Sequence, residues 1–288
     1  MHMSLKHTLA IALGTDADAL PMAFAAEIAA VHKGLVEILP AYPDSAADMI
    51  ALGVSLGARL SQAAVEELAV AERDLQARIE TEARRAANRA DLVFGEGEGG
   101  PRMVLSTRGL RPALALARQS VLADLIVFGQ GHLTQGEGGE LFNQTLLGRQ
   151  APVLLARGDP ASLSGPMAIA WDGSAQAGRA VKAALPLLAM ASAIHIVQCV
   201  SSLDRDGNDP DVDRLNAYLS LHGVGTGTPV LAEGADEGAA LLALAEAKAA
   251  SLLVAGAWGH ARLREAVFGG ATRAFLRRAD GPSLLLAH

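Results

Sequence analysis

Short unbroken apolar runs alternate along the chain with longer stretches in which apolar residues recur at steps of three and four. In the first half the short runs fall at residues 9–13, 35–39, 124–128 and 152–156, with a weaker one at 103–105. Runs of that length without polar alternation predict strands buried on both faces, as in a parallel sheet. Between them the three-and-four spacing predicts helices over residues 20–31 and 112–120, and one long helical stretch from about 46 to 88. Within that stretch Val65, Leu68, Glu72, Leu75, Ile79, Ala83 and Ala86 share one face, with Glu72 as its only polar interruption. Such a face suits a helix lying on the sheet; a protruding arm that binds a partner is the other reading.

After residues 157–166, rich in Gly, Ser and Pro, the order recurs. Strands are predicted at 167–171, 195–200, 229–232, 252–255 and 283–286, and helices at 177–191, 214–222, 238–249 and 271–278. The halves also match in wording: Ala123-Asp124-Leu125-Ile126-Val127-Phe128-Gly129 answers Ala250-Ser251-Leu252-Leu253-Val254-Ala255-Gly256, and Ala10-Ile11-Ala12 answers Ala168-Ile169-Ala170. Pro152-Val153-Leu154-Leu155 likewise answers Pro282-Ser283-Leu284-Leu285. The expectation is a duplicated α/β domain, each copy a parallel sheet with helices on both faces. The predicted divisions are 1–157, a linker at 158–166, and 167–288, with the long helical stretch as an insertion in the first copy.

Composition narrows the partners. Aromatic residues are only 3% of the 288 and the net charge is −7, with no basic stripe, so nucleic acid is not expected. No apolar run approaches a membrane span. Near the start, Gly14, Asp16 and Asp18 interrupt the apolar stretch, so no signal peptide is expected and the cytoplasm is the expected compartment. The single cysteine, Cys199, lies in an apolar run and reads as a buried inert thiol; His195 in the same run reads as a hydrogen-bonded core histidine.

The stretch from Ser251 to Thr272 carries the most chemistry. A predicted strand ends at Gly256, Gly259 follows, and after nine more residues Gly269 and Gly270 precede a predicted helix beginning at Ala271. Glycines let backbone N–H groups approach an oxyanion closely, and a helix start offers unpaired donors, so the frame can hold an anion. The glycines can equally do no more than turn the chain. His260 and Arg262 beside this loop could orient or approach a phosphate, or belong to a solvated loop. Asp204, Asp206, Asp209, Asp211 and Asp213 have a calcium-loop spacing but lack the glutamate at the twelfth position, so no metal site is expected. No paired nucleophile and base, Gly-x-Ser-x-Gly elbow, zinc spacing or P-loop occurs, and no catalytic residue is assigned.

With the duplication in view, the chain resembles a tandem universal stress protein. The resemblance rests on Ala168-Ile169-Ala170-Trp171-Asp172-Gly173-Ser174, on Gly256-Ala257-Trp258-Gly259-His260 with Gly269-Gly270-Ala271-Thr272, and on Arg278-Ala279-Asp280-Gly281-Pro282-Ser283. It is specific over 167–288 and weaker over 1–156. It implies two five-stranded parallel sheets in an adenine-nucleotide-binding α/β fold, the adenine nucleotide alpha hydrolase-like type. It also implies ATP or a related adenine nucleotide, with magnesium, in the C-terminal copy. Asp172, with Gly173 and Ser174, would meet the nucleoside, the strand ending at Val200 the adenine, and Gly256, Gly259, Gly269, Gly270, Ala271 and Thr272 the phosphates. Gly270 stands where ATP-binding members show Ser or Thr; one lost hydroxyl contact, worth about 1 kcal/mol, would weaken such a site without abolishing it.

In the first copy Gly14 occupies the slot of Asp172 and Gln130-Gly131-His132 follows Gly129, so no nucleotide is expected there. The implied function is a cytoplasmic stress-response sensor or regulator with hydrolysis slow or absent, as a monomeric pseudo-dimer or a homodimer. The alternative is an interaction module that binds no nucleotide and captures a protein partner through the pseudo-dimer and the long helix.

Overall fold

A computed structural model describes residues 4–42, 62–97, 99–106, 112–135, 137–257 and 270–288. The chain divides into two compact units, one spanning Lys6–Thr145 and the other built on Leu146–His288. Both are α/β, as the alternation of patterns predicts.

In the N-terminal unit β1 (His7–Ala12), α1 (Ala19–His32), β2 (Leu35–Pro40), α2 (Gln62–Arg89), β3 (Val93–Phe94), β4 (Arg102–Leu105), α3 (Pro112–Gln119), β5 (Leu125–Gly129) and α4 (Gly138–Asn143) follow one another. The strands lie in the order β3-β4-β2-β1-β5. Every pairing among them is parallel. Leu9 to Ala12 and Leu125 to Phe128 are fully buried, the burial that parallel strands covered on both faces require. α2 packs on α1, and its Ile79, Ala83 and Ala87 are fully buried, so this half of the long helix lies on the body of the unit. The part of the predicted helical stretch at 46–61 lies outside the described residues.

The C-terminal unit contains β6 (Val153–Ala156), β7 (Met167–Ala170), α5 (Ala175–Leu188), β8 (Ile194–Cys199), α6 (Val212–Leu221), β9 (Thr228–Ala232), α7 (Glu237–Ala247), β10 (Leu252–Gly256), α8 (Gly270–Arg277) and β11 (Ser283–Ala287). Five parallel strands run β11-β10-β7-β8-β9. β6, read from the sequence as the closing strand of the first half, adds to β11 in antiparallel register, Leu154 opposite Leu285. Arg157, directly after β6, is buried and ties the edge together. Its N–H donates to Ser283 Oγ at 3.0 Å, and its Nη2 donates to the Phe275 carbonyl at 2.7 Å near the end of α8. Burial lowers the guanidinium pKa to about 10. Among the described residues no helix is long and apolar enough to cross a membrane.

A half-buried acid–base pair crosses the N-terminal sheet: His7 Nε2 lies 3.0 Å from Glu37 Oε2, and the Ser106 hydroxyl donates to Glu37 Oε1. The Glu37 contact raises the His7 pKa above 6.5 despite burial, and the His7 contact lowers that of Glu37 below 4.5. The histidine contribution is complete below its unfolded pKa and is lost as pH rises through the raised folded value. The glutamate contribution is complete above its unfolded pKa and is lost as pH falls through the lowered one. His7→Gln should therefore cost about 1 kcal/mol of unfolding free energy between about pH 4.5 and 6.5, and less on either side. Urea unfolding of both proteins across that range checks the profile; a difference independent of pH would contradict it.

Candidate functional site

The carboxyl ends of β7, β8 and β10 meet beneath the start of α8, where ligands of open parallel sheets bind. Asp172 lies just past β7, and its Oδ1 accepts from the Ser174 N–H at 2.9 Å. Ser174 Oγ in turn accepts from Ala177 N–H at 3.2 Å, capping α5. These local bonds fix the turn that presents Asp172. Gly173 has φ +77°, and a Cβ there would fall 2.1 Å from the Asp209 carbonyl oxygen, so the acidic loop closes directly over this turn. Gln198 Nε2 ties the two together, donating to the carbonyls of Trp171 at 3.0 Å and Pro210 at 2.9 Å.

Two further close approaches shape the opposite wall. A Cβ on Gly256 would lie 2.5 Å from Ala177 N, so β10 reaches the first turn of α5 only because residue 256 has no side chain. A Cβ on Gly238 would lie 2.5 Å from Ala274 Cβ and 2.7 Å from Ala271 Cα, so α7 and α8 touch through that glycine. At Gly270, by contrast, an added Cβ meets nothing within 4 Å among the described residues.

The result is a cavity of about 130 Å³. It brings together Asp172, Ser174, Gly256, Gly270, Ala271 and Thr272, which the sequence assigned to the site from separate stretches. A wider groove of about 680 Å³ shares Glu237, Gly270 and Ala271 with it and runs on past Arg273 and Arg277. Gly173 lines a neighbouring groove instead. Val200 does not line the cavity: β8 ends at Cys199, and Val200 opens a 3-10 turn with its side chain 39% exposed. Gln198, Cys199 and Leu203 line the wall in its place. Gly259, His260, Arg262 and Gly269 lie outside the described residues.

Sequence reading gave no role to Trp171, Gln198 or Glu237. The indole nitrogen of Trp171, a residue that lines the cavity, is buried with no hydrogen-bond partner, an orphaned donor. A glutamine in the apolar run Ile-Val-Gln-Cys was the available signal for Gln198; Glu237, at the start of α7, belongs to no motif. Cys199 is buried as expected, with Sγ near Ser201 Oγ and the Gly234 carbonyl. His195 departs from the expectation of a hydrogen-bonded core histidine: its Nδ1 is buried without a partner, and burial lowers its pKa. Among the described residues no group of three or more His, Cys, Asp or Glu is placed to hold a metal ion.

The donor set suits a ligand with hydroxyls and an anionic group. Asp172 supplies an acceptor and Trp171 a donor, Phe275 and Leu203 supply apolar wall, and α8 brings Gly270, Ala271 and Thr272 to the same cavity. Residues 165–286 match the model of the Universal stress protein family. The C-terminal unit is a universal stress protein domain. Over the whole chain the fold is that of a universal stress protein from Archaeoglobus fulgidus DSM 4304. That likeness covers 99% of this chain and 99% of that one, with a TM-score of 0.69 and 14% identity. A functionally unknown protein from Pseudomonas aeruginosa PAO1 is similar over 98% of this chain and 92% of its own, with a TM-score of 0.55 and 14% identity. Among curated proteins no significant match is found.

The two glycines of this universal stress protein domain should respond oppositely to substitution. Gly256→Ala should destabilise it by about 2 kcal/mol, because the methyl group meets backbone that cannot step aside. Gly270→Ser should stay within about 0.5 kcal/mol of wild type. Denaturant midpoints of the two variants check the contrast, and equal losses would contradict the packing described.

Proposed function

We propose that the C-terminal universal stress protein domain binds ATP or a related adenine nucleotide, with magnesium accompanying the phosphates, and that the chain acts in the cytoplasm as a stress-response sensor or regulator rather than as an enzyme. One observation carries this reading: Asp172, Ser174 and the Gly270–Thr272 turn, far apart in sequence, line one cavity at the carboxyl ends of the parallel strands. Asp172 would accept from nucleoside hydroxyls, and the backbone N–H groups that open α8 would receive phosphate oxygens. The cavity alone is smaller than a ligand of that size needs, so the phosphates would extend into the wider groove beside Arg273 and Arg277. Binding of this kind needs no catalytic step; any hydrolysis would be slow.

Isothermal titration with ATP and magnesium tests the reading. Asp172→Ala should weaken binding about tenfold, and Gly270→Ser, which restores the missing hydroxyl, should strengthen it several-fold. No heat at high micromolar nucleotide from wild type and from Gly270→Ser alike would overturn it.

A second reading, capture of a protein partner, is favoured by α2. Among its described side chains Ile79, Ala83, Ala86 and Ala87 are buried, and Val70 is 48% exposed. Val70→Glu should then abolish partner capture while leaving nucleotide titration unchanged; loss of nucleotide binding with capture intact would contradict it.

A further inference from the structure

A buried Asp–His pair in the N-terminal unit stands where β1 gives way to α1. Asp18 is 1% exposed and His132 0% exposed, and nothing in the nucleotide reading uses either. The Asp18 carboxylate accepts from four donors. Leu13 N–H reaches Oδ1 at 2.8 Å, and Gly14 and Thr15 N–H reach Oδ2 at 2.7 and 3.1 Å. His132 Nε2 lies 2.9 Å from Oδ1. Gly14 has φ +75°, the left-handed conformation that turns successive N–H groups toward a common point. The fourth donor can be assigned. Gly129 N–H donates to His132 Nδ1 at 3.3 Å, so Nδ1 carries the lone pair, Nε2 carries the proton, and that proton points to Asp18. Four donors fill the four lone-pair directions of a carboxylate and offset the cost of burying its charge.

The surrounding glycines press the chain onto this acid. A Cβ on Gly129 would lie 2.9 Å from the Ala17 carbonyl oxygen, one on Gly131 2.8 Å from Ala17 Cβ, and one on Gly138 2.2 Å from the His132 carbonyl oxygen. From α2, Leu75 covers the turn: a Cβ on Gly14 would lie 2.5 Å from Leu75 Cδ2. In this unit the glycines that follow the strand answering β10 serve closure.

We infer that the turn after β1 is an anion cradle whose permanent occupant is the protein's own Asp18 carboxylate, clamped by His132, so that this turn takes no anion from solution. The inference stands whether or not the C-terminal domain binds nucleotide. It differs from a mere structural hydrogen bond in one respect: a cradle shaped for a free carboxylate accepts one when the tethered one is removed.

Asp18→Gly in the full chain provides the test. Its melting temperature should fall by on the order of 5–10 °C. Sodium formate, against sodium chloride at equal ionic strength, should restore it saturably. Asp18→Asn, which keeps the shape but sets an amide NH₂ among donors, should also fall and should gain nothing from formate. A natively folded Asp18→Gly that formate stabilises no more than chloride overturns the inference. Should that variant not fold, the wild-type protein decides. Nitrogen-15 spectra should show the Nε2–H tautomer of His132, slow exchange of the Leu13, Gly14 and Thr15 amides, and ring signals unmoved by formate or phosphate. The other tautomer, fast exchange of those amides, or a saturable shift of the ring signals overturns it.

Discussion

The C-terminal site depends on how near β10 comes to the first turn of α5. Gly256 sets that distance, because any side chain there would meet the backbone of Gln176 and Ala177. With the two elements in contact, the Ser174 cap and the Asp172 turn stand beside the end of β10, and the cavity opens between them. Gly238 does the same for the opposite rim, letting α8 lie against α7 so that its first turn faces the cavity. The glycines are therefore spacers before they are donors. A backbone N–H can meet a ligand only if the element carrying it has first been allowed close enough.

The two units share parallel sheets and have reached opposite solutions at the same position. In the C-terminal unit the acid sits in the turn itself, at Asp172, and bonds only locally, leaving space above the sheet. In the N-terminal unit the acid comes from the next turn of chain, at Asp18, and faces back into the loop. Moving a carboxylate by a few positions converts a group that can greet a ligand into one that replaces it.

Strands were legible because burial on both faces leaves an uninterrupted apolar run, and most predicted segments match observed ones within a residue or two. Val93–Phe94 is too short to leave such a signature. Periodicity reports burial and not partners, so the run at Val153–Ala156 was readable as a strand while its antiparallel union with β11 was not. A part of the candidate site was legible for a different reason: Asp172, Ser174, Gly256 and Gly270–Thr272 carry a spaced motif. Val200 falls one residue past the end of β8, and Gln198 and Cys199 within the strand line the wall. Asp18 showed in the sequence only as an interruption. Its significance needs His132, 114 residues away, and no local pattern links them.

The union of β6 with β11 has a consequence for solubility and assembly. The last strand of a parallel sheet ordinarily presents a row of unpaired amides and carbonyls, a ready template for another chain. Here the same polypeptide supplies its own cover, fastened at one end by the Ser283 hydroxyl on the Arg157 backbone and by the Arg157 guanidinium on the Phe275 carbonyl. A second molecule seeking that edge would first have to peel the cover away and expose a guanidinium that already sits uneasily out of water. The pairing groups of β11 on that side are thus taken up by a strand of its own chain.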